Sequence, residues 1–310
     1  MADAVARDLR MPAASRRVGR RPLVNRKSMV AFFFALPLIL IVACLVVYPA
    51  FYSMHLATLN KSMTKFVGLG NFEFLFKRNT FWMVVEQSVL FAVTAVVFKA
   101  VIGFVVAHFV HNIPLKGQRK WRGMLLIPWV IPPAMSTLAW LWLFDPSYSA
   151  FNWILTHLGL AGIPWLGNPY WARAGVILVN VWVGSPFFMI MYLAALKSVP
   201  EQLHEAASID GANWFQKIWY VNLPMMRNII QITALFSLIV TFANFDIVRI
   251  LTAGGPIDRT HVFATWAFWI GIQGNDIPLG ASVSLFMVPI LAVAAVFILR
   301  NIHRRASEMS

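Results

Sequence analysis

The sequence predicts an all-α, polytopic membrane protein with six transmembrane helices. Three observations predict it. Of 310 residues, 59% are hydrophobic and only 12% charged, against about 25% charged in an average soluble domain. The apolar runs are long and lack strict alternation, which points to helices rather than to the strands of a closed barrel. The basic residues behind the net charge of +14 cluster beside those runs, as topology signals do. That placement argues against a nucleic-acid partner.

The N-terminal stretch 1–28 is polar and basic, with Arg7, Arg10, Arg16, Arg17, Arg20, Arg21, Arg26 and Lys27. It reads as a disordered cytoplasmic tail. The apolar run Met29–Tyr48 follows, closed by Pro49 and Phe51 with no small-x-small cleavage pattern, so it reads as an uncleaved first span. Further spans are expected at about Trp82–Val110, Gly123–Phe144, Ala172–Leu196, Pro224–Leu251 and Ala281–Leu299. A span needs about 20 apolar residues to cross about 30 Å of hydrocarbon. Residues 29–300 then form one membrane domain, and 301–310 a second tail.

Charge asymmetry orients these spans. Lys116, Arg119, Lys120 and Arg122 lie between spans two and three, and Arg300, Arg304 and Arg305 follow span six. Six spans place that loop and both termini on the cytoplasmic side. The loop Asp145–Tyr170 holds no Lys or Arg and belongs outside. Residues 51–80 fit less well, with Lys61, Lys65, Lys77 and Arg78.

The polar segment 197–224, on the cytoplasmic side, reads as two short helices. Pro200 suits a first helical turn, and Asp210-Gly211 ends that helix with a residue free to turn left-handed. Asn213 with Gln216 has capping-box spacing, and Leu223-Pro224 closes the second helix and starts span five. Taken on its physics alone, the segment either docks on a partner protein or lies on lipid as an amphipathic helix.

Its residues carry a resemblance. Glu205-Ala206-Ala207, Gly211, Val221 and Leu223-Pro224 match the EAA-x3-G-x9-I-x-L-P signature, with Val for Ile at one position. The chain thus resembles the permease subunits of binding-protein-dependent ABC importers. The string Leu196–Pro200, Ile209–Ala212, Phe245-Asp246, Thr252–Pro256, Trp140–Phe144 and Pro186-Phe187 is similar to the sugar-importing branch, the maltose/glycerol-phosphate type, and to the first of its two unlike permeases. The resemblance implies the type I importer permease fold in a bacterial inner membrane. It implies a second permease, an ABC ATPase dimer that carries ATP and Mg, and an extracytoplasmic solute-binding protein. It implies that Glu205, Ala206, Ala207, Asp210, Gly211, Leu223 and Pro224 couple the chain to the ATPase. It leaves this chain no cofactor of its own.

Inside the spans, polar groups are costly and usually face a cavity or a partner helix. A charge at a helix centre costs about 2.5–3.5 kcal/mol on insertion scales. Lys99 is the basic residue nearest a span centre, and it either faces protein or snorkels to one interface. Asp246, Asn244, Asn180 and Gln87 are the candidate carboxylate and amides for sugar hydroxyls, and for Asp246 the resemblance equally implies a structural or gating role at the outer end of the pore. Trp140 and Trp182 supply rings that stack on sugar faces or, alternatively, belong to an interfacial belt.

Other patterns are empty. No GxxxxGK[ST] occurs, so the chain alone is not expected to hydrolyse ATP. His204-Glu205 lacks the second His of a zincin, and His108 with His111 lacks a third ligand. Cys44 stands alone, so no internal disulfide forms. A secondary transporter with its own coupling site is the alternative reading, although the internal repeat common in that class is not evident.

Overall fold

The computed structural model describes residues 26–308, whose regular structure is helical, with one isolated antiparallel bridge between Leu59 and Phe66. Residues 1–25, and with them most of the expected basic tail, lie outside the described residues. The chain divides into two compact units between Phe51 and Tyr52.

Among the described residues, five helices are long and apolar enough to cross a membrane: Phe32–Ala57, Asn79–Asn112, Pro169–Lys197, Trp214–Phe242 and Ile277–Arg300. The first is built from α1 (Arg26–Val42), a π-helical turn Ala43–Val47 and α2 (Tyr48–Ala57). A short helix α3 (Gly70–Phe76) precedes α4 (Asn79–Asn112). At about 1.5 Å per residue, the 34 residues of α4 exceed the hydrocarbon thickness, so this helix must tilt or project beyond it. Its buried positions include Val84, Ser88, Phe91, Ala95, Lys99, Gly103 and Ala107, one stripe at helical spacing.

The expected third span is not one helix. It is α5 (Leu115–Leu125), α6 (Ile127–Val130) and α7 (Pro133–Leu143). Pro128, Pro132 and Pro133 explain the breaks: a proline lacks the N–H a helix needs and pushes the preceding residue out of the helical region. Beyond α7, the capped helix α8 (Ala150–His157) occupies the expected external loop, with Ser149 Oγ accepting from Asn152 N–H at 3.1 Å.

α9 (Pro169–Lys197) is the central partner of α4. The two approach so closely at Gly103 that any Cβ there would overlap Phe188, the small-residue contact typical of membrane helices. Phe188, Met189, Tyr192, Ala107, Val110 and Met226 form the core beside it.

After α9 come α10 (Glu201–Ile209) and α11 (Trp214–Lys217), then a π turn Ile218–Asn222 and α12 (Leu223–Phe242). The expected stop at Leu223-Pro224 is absent, and the helix runs unbroken from Trp214 to Phe242. The π turn accounts for this. A proline ring clashes with the carbonyl four residues earlier, here Tyr220, and that carbonyl lies in a turn already out of α register. Pro49 stands in the same relation to Leu45 and its π turn.

The fifth span also ends sooner than expected. Helix α12 stops at Phe242, and α13 (Asp246–Leu251) is a separate helix packed on α7 and α9. Then follow α14 (Phe263–Phe268), a π turn Trp269–Gln273, α15 (Ile277–Leu285) and α16 (Met287–Glu308). Phe81, Phe242, Phe263, Trp266 and Val283 form a second core, and Phe144, Val176, Val179, Ile247 and Val248 a third.

Candidate functional site

Two regions hold the residues singled out in the sequence. In the first, α10 ends in a Schellman arrangement. Gly211 N–H donates to Ser208 C=O at 3.1 Å and Ala212 N–H to Ala207 C=O at 2.8 Å, with Gly211 at φ +77°, the left-handed residue that this closure requires. The capping box then opens α11. Asn213 Oδ1 accepts from Gln216 N–H at 2.9 Å, and Gln216 Oε1 accepts from Asn213 N–H at 2.7 Å. Lys217 Nζ donates to Ser208 Oγ at 2.7 Å and ties the two helices together.

This helical hairpin is anchored on the end of α4. Asn222 Nδ2 meets His108 Nε2 at 3.2 Å, and the Trp214 ring stands edge-on to His108. Between them lies a groove of about 300 Å3, lined by His108, His111, Glu201, His204, Glu205 and Trp214 among others. Glu205, Ala206 and Asp210 are exposed and Ala207 half-buried. Leu223 and Pro224 sit in the first turn of α12. Around the groove, Ile209, Trp214, Phe215, Trp219 and Tyr220 present large apolar surface.

The second region is a cleft of about 190 Å3 among α4, α9 and α12, with Trp129 and Pro133 from the broken span at its edge. Lys99 reaches into it and is 4% exposed. Its ammonium donates to Thr241 Oγ1 at 2.7 Å and to Ser237 Oγ at 3.4 Å. Gly184 makes room for it: a Cβ there would lie 2.5 Å from Lys99 Cδ and 3.2 Å from Nζ. Asn180 lines the same cleft, and its buried Oδ1 has no hydrogen-bond partner. Asn244, Phe187 and Phe236 complete the walls.

Of the expected pathway residues, the fold brings together Lys99, Asn180 and Asn244. It places the others elsewhere. Asp246 is exposed in the first turn of α13, where a carboxylate suits the helix end. Gln87 is buried on α4 away from the cleft, with Nε2 unpaired. Trp140 and Trp182 pack against each other, ring centroids 5.6 Å apart, and Trp182 lines a different, apolar hollow with Ile102 and Met124.

Ser237 and Gly184 were missing from the expected set, and the signal for them was present. Residues 237 and 241 stand one turn apart on α12, and 180, 184 and 187 recur at i, i+4 and i+7 on one face of α9. Each stripe faces the cleft.

Residues 99–308 match the family model of the binding-protein-dependent transport system inner membrane component. The chain belongs to this family. It is a transport permease component of the inner membrane rather than an enzyme, and ATP hydrolysis falls to a separate subunit. Among curated relatives of this permease, the trehalose/maltose transport system permease protein MalF of Thermococcus litoralis is 30% identical over 289 residues, 91% of this chain and 97% of that one. The sulfoquinovosyl glycerol transport system permease protein SmoG of Agrobacterium fabrum is 29% identical over 87% of this chain and 89% of its own length. Among solved structures, a bacterial ABC transporter involved in the import of the acidic polysaccharide alginate matches with a TM-score of 0.79. It covers 90% of this permease and 96% of that chain at 21% identity, a likeness of fold.

Proposed function

We propose that this permease forms one half of the solute pathway of an ATP-driven carbohydrate importer, beside a second, unlike permease. The cleft among α4, α9 and α12 is the observation that carries the reading. It sets amide and hydroxyl groups, Asn180, Asn244, Ser237 and Thr241, beside the rings of Trp129, Phe187 and Phe236. That is the pairing a sugar needs, with hydrogen bonds for its hydroxyls and flat apolar faces for its ring. Curated relatives named for trehalose/maltose and for galactooligosaccharides support it.

The α10–α11 hairpin is the proposed contact to the ATPase subunit, which holds ATP and Mg. Its exposed aromatics give an apolar docking face, and Glu205 offers a carboxylate for a charge-assisted hydrogen bond at the groove. Ala206 and Ala207 allow close approach, and Gly211 sets the turn. The hairpin and both termini then lie on the cytoplasmic side, in keeping with the basic residues at 116–122 and 300–305. The solute arrives from an extracytoplasmic binding protein.

The test is ATP-driven uptake by the complete importer in proteoliposomes, over a panel of labelled sugars and amino acids. Sugar uptake is expected, reduced at least about tenfold in Asn180→Leu through a lost hydrogen bond to the solute. Glu205→Lys is expected to release the ATPase on co-purification. Uptake of amino acids alone rejects the carbohydrate reading, and an ATPase still bound and coupled in Glu205→Lys rejects the docking reading.

A further inference from the structure

The cleft has an unusual balance of charge and of hydrogen-bond polarity. Among its lining residues there is a cation, Lys99, and no carboxylate. Among the described residues Lys99 forms no ion pair, although it is buried near the middle of a membrane-spanning helix. A buried ammonium is ordinarily paired or hydrogen-bonded, because leaving its charge uncompensated in a low dielectric is costly. Two hydroxyls are all that this fold gives it.

Those hydroxyls are themselves informative. Ser237 Oγ and Thr241 Oγ1 each accept from Lys99, and no acceptor for either hydroxyl proton is found among the described residues. An oxygen that accepts from an ammonium must turn its own proton elsewhere. The third N–H of Lys99 is likewise uncommitted. The cleft therefore collects three free donors around a positive charge.

The cleft is also shaped for this side chain. Gly184, on the facing stretch of α9, leaves the space that the lysine fills, and a methyl group there would collide with it. On the same face, one turn earlier, stands the unpaired Oδ1 of Asn180. A lysine that merely snorkelled would carry its ammonium to an interface. This one is held inside by two hydroxyls of α12.

We infer that Lys99, with Ser237 and Thr241, binds an anionic group of the transported solute, so that the importer carries an acidic sugar or sugar derivative. The group is a carboxylate, sulfonate or phosphate, each an oxyanion that accepts several donors at once. Asn180 then meets a neighbouring hydroxyl, and the rings of Trp129, Phe187 and Phe236 meet the apolar face. This rests on the proposed carbohydrate reading and narrows it, since a neutral sugar brings no counter-charge to Lys99.

The test is uptake by the complete importer in proteoliposomes of matched probes: galactose with galacturonate, digalactose with digalacturonate, and glycerol with glycerol phosphate. The wild type is expected to favour a charged member over its neutral partner by about 30-fold or more, as sites with buried unpaired groups do. Lys99→Met is expected to bring that ratio within about threefold of unity, whereas Lys99→Arg keeps the preference, because the charge and not the packing carries it. A lysine that only ties α4 to α12 predicts instead an equal loss for both members of a pair in Lys99→Met, and that result overturns the assignment. Should Lys99→Met fail to assemble, the wild-type ratio alone decides: preference for the neutral members, or uptake of no charged member, overturns it. The two readings fail separately. Uptake of neutral sugars alone sinks the anionic reading and leaves the carbohydrate reading intact. Uptake of charged glycerol phosphate with no sugar at all does the reverse.

Discussion

The α10–α11 hairpin and the Lys99 cleft are built by opposite means. In the hairpin the bonds that set its turn and its cap join residues fewer than ten apart, such as Ala207 with Ala212, Asn213 with Gln216 and Ser208 with Lys217. In the cleft the bonds from Lys99 span 138 and 142 residues. The first structure follows from local rules of caps and turns. The second exists only once three helices have packed. Backbone conformation should therefore govern the hairpin, whereas side-chain volume and charge should govern the cleft.

The largest effect is expected where volume rules. Gly184→Val places a branched side chain where even one Cβ would lie 2.5 Å from Lys99 Cδ. Lys99 must leave its hydroxyl partners, and solute uptake is expected to fall about 100-fold, a loss comparable to removing a buried charged hydrogen bond. Initial uptake rates in proteoliposomes measure it. Gly184→Ala should fall less, because Lys99 is flexible and can give way. If the valine variant transports normally, the cleft is not the pathway.

Gly211 offers the contrasting case. A Cβ there meets nothing within 4 Å, so volume is irrelevant and only φ +77° matters. Gly211→Val is expected to strain the turn by about 1–2 kcal/mol and to lower uptake per ATP hydrolysed. Gly211→Asn, which tolerates the left-handed region, should remain near wild type. Equal damage from both would mean that the hairpin obeys packing, as the cleft does, and the contrast would collapse.

This contrast also decides what was legible in the sequence. The two ends of α10, the cap at Asn213 and the left-handed turn at Gly211 were readable, because each depends on neighbours in the chain. The family signature there was readable for the same reason. The third span was misjudged because apolar composition hid the effect of Pro128, Pro132 and Pro133. The opposite error occurred at Pro224, where a π turn absorbs a proline that composition marks as a stop. In the cleft, Lys99, Asn180 and Asn244 were visible as polar residues in apolar runs. Which of them share one space was not visible, because that depends on how α4, α9 and α12 rotate against one another. Trp140 and Trp182 show the point: aromatic character singled them out, and packing turned them to another face.

A smaller effect tests the local side again. Asn213→Ala removes the side-chain half of the capping box, leaving the backbone N–H of 213 bonded to Gln216 Oε1, and is expected to cost about 1 kcal/mol, read as lower amide protection in residues 213–217. Asn213→Asp should largely restore it, since a carboxylate also caps a helix and suits its positive end. The cleft should be indifferent to both changes, so the charge preference of uptake should not move.

The smallest effect belongs to a segment that joins short-range contacts to deep burial. His261 lies between spans and is 2% exposed. Its Nδ1 is 3.1 Å from Thr265 Oγ1, a local contact, while Nε2 is 3.7 Å from Asp258 Oδ1. Burial pushes its pKa below the ordinary value. Asp258 opposes that shift, and Arg249 reinforces it. A depressed folded pKa means that the neutral ring is the one that fits. Its contribution to stability is complete above the unfolded value of about 6.5 and is lost as the pH falls through that value toward the lower folded pKa. Amide exchange in residues 254–262 should therefore quicken as the pH drops below about 6.5, and His261→Gln should flatten the dependence. Asp258→Asn removes the one influence that raises the folded pKa. It should enlarge the acid sensitivity and extend it to lower pH. A smaller sensitivity in Asp258→Asn would show that the carboxylate is not acting on the ring, and that local bonding to Thr265 alone sets its state.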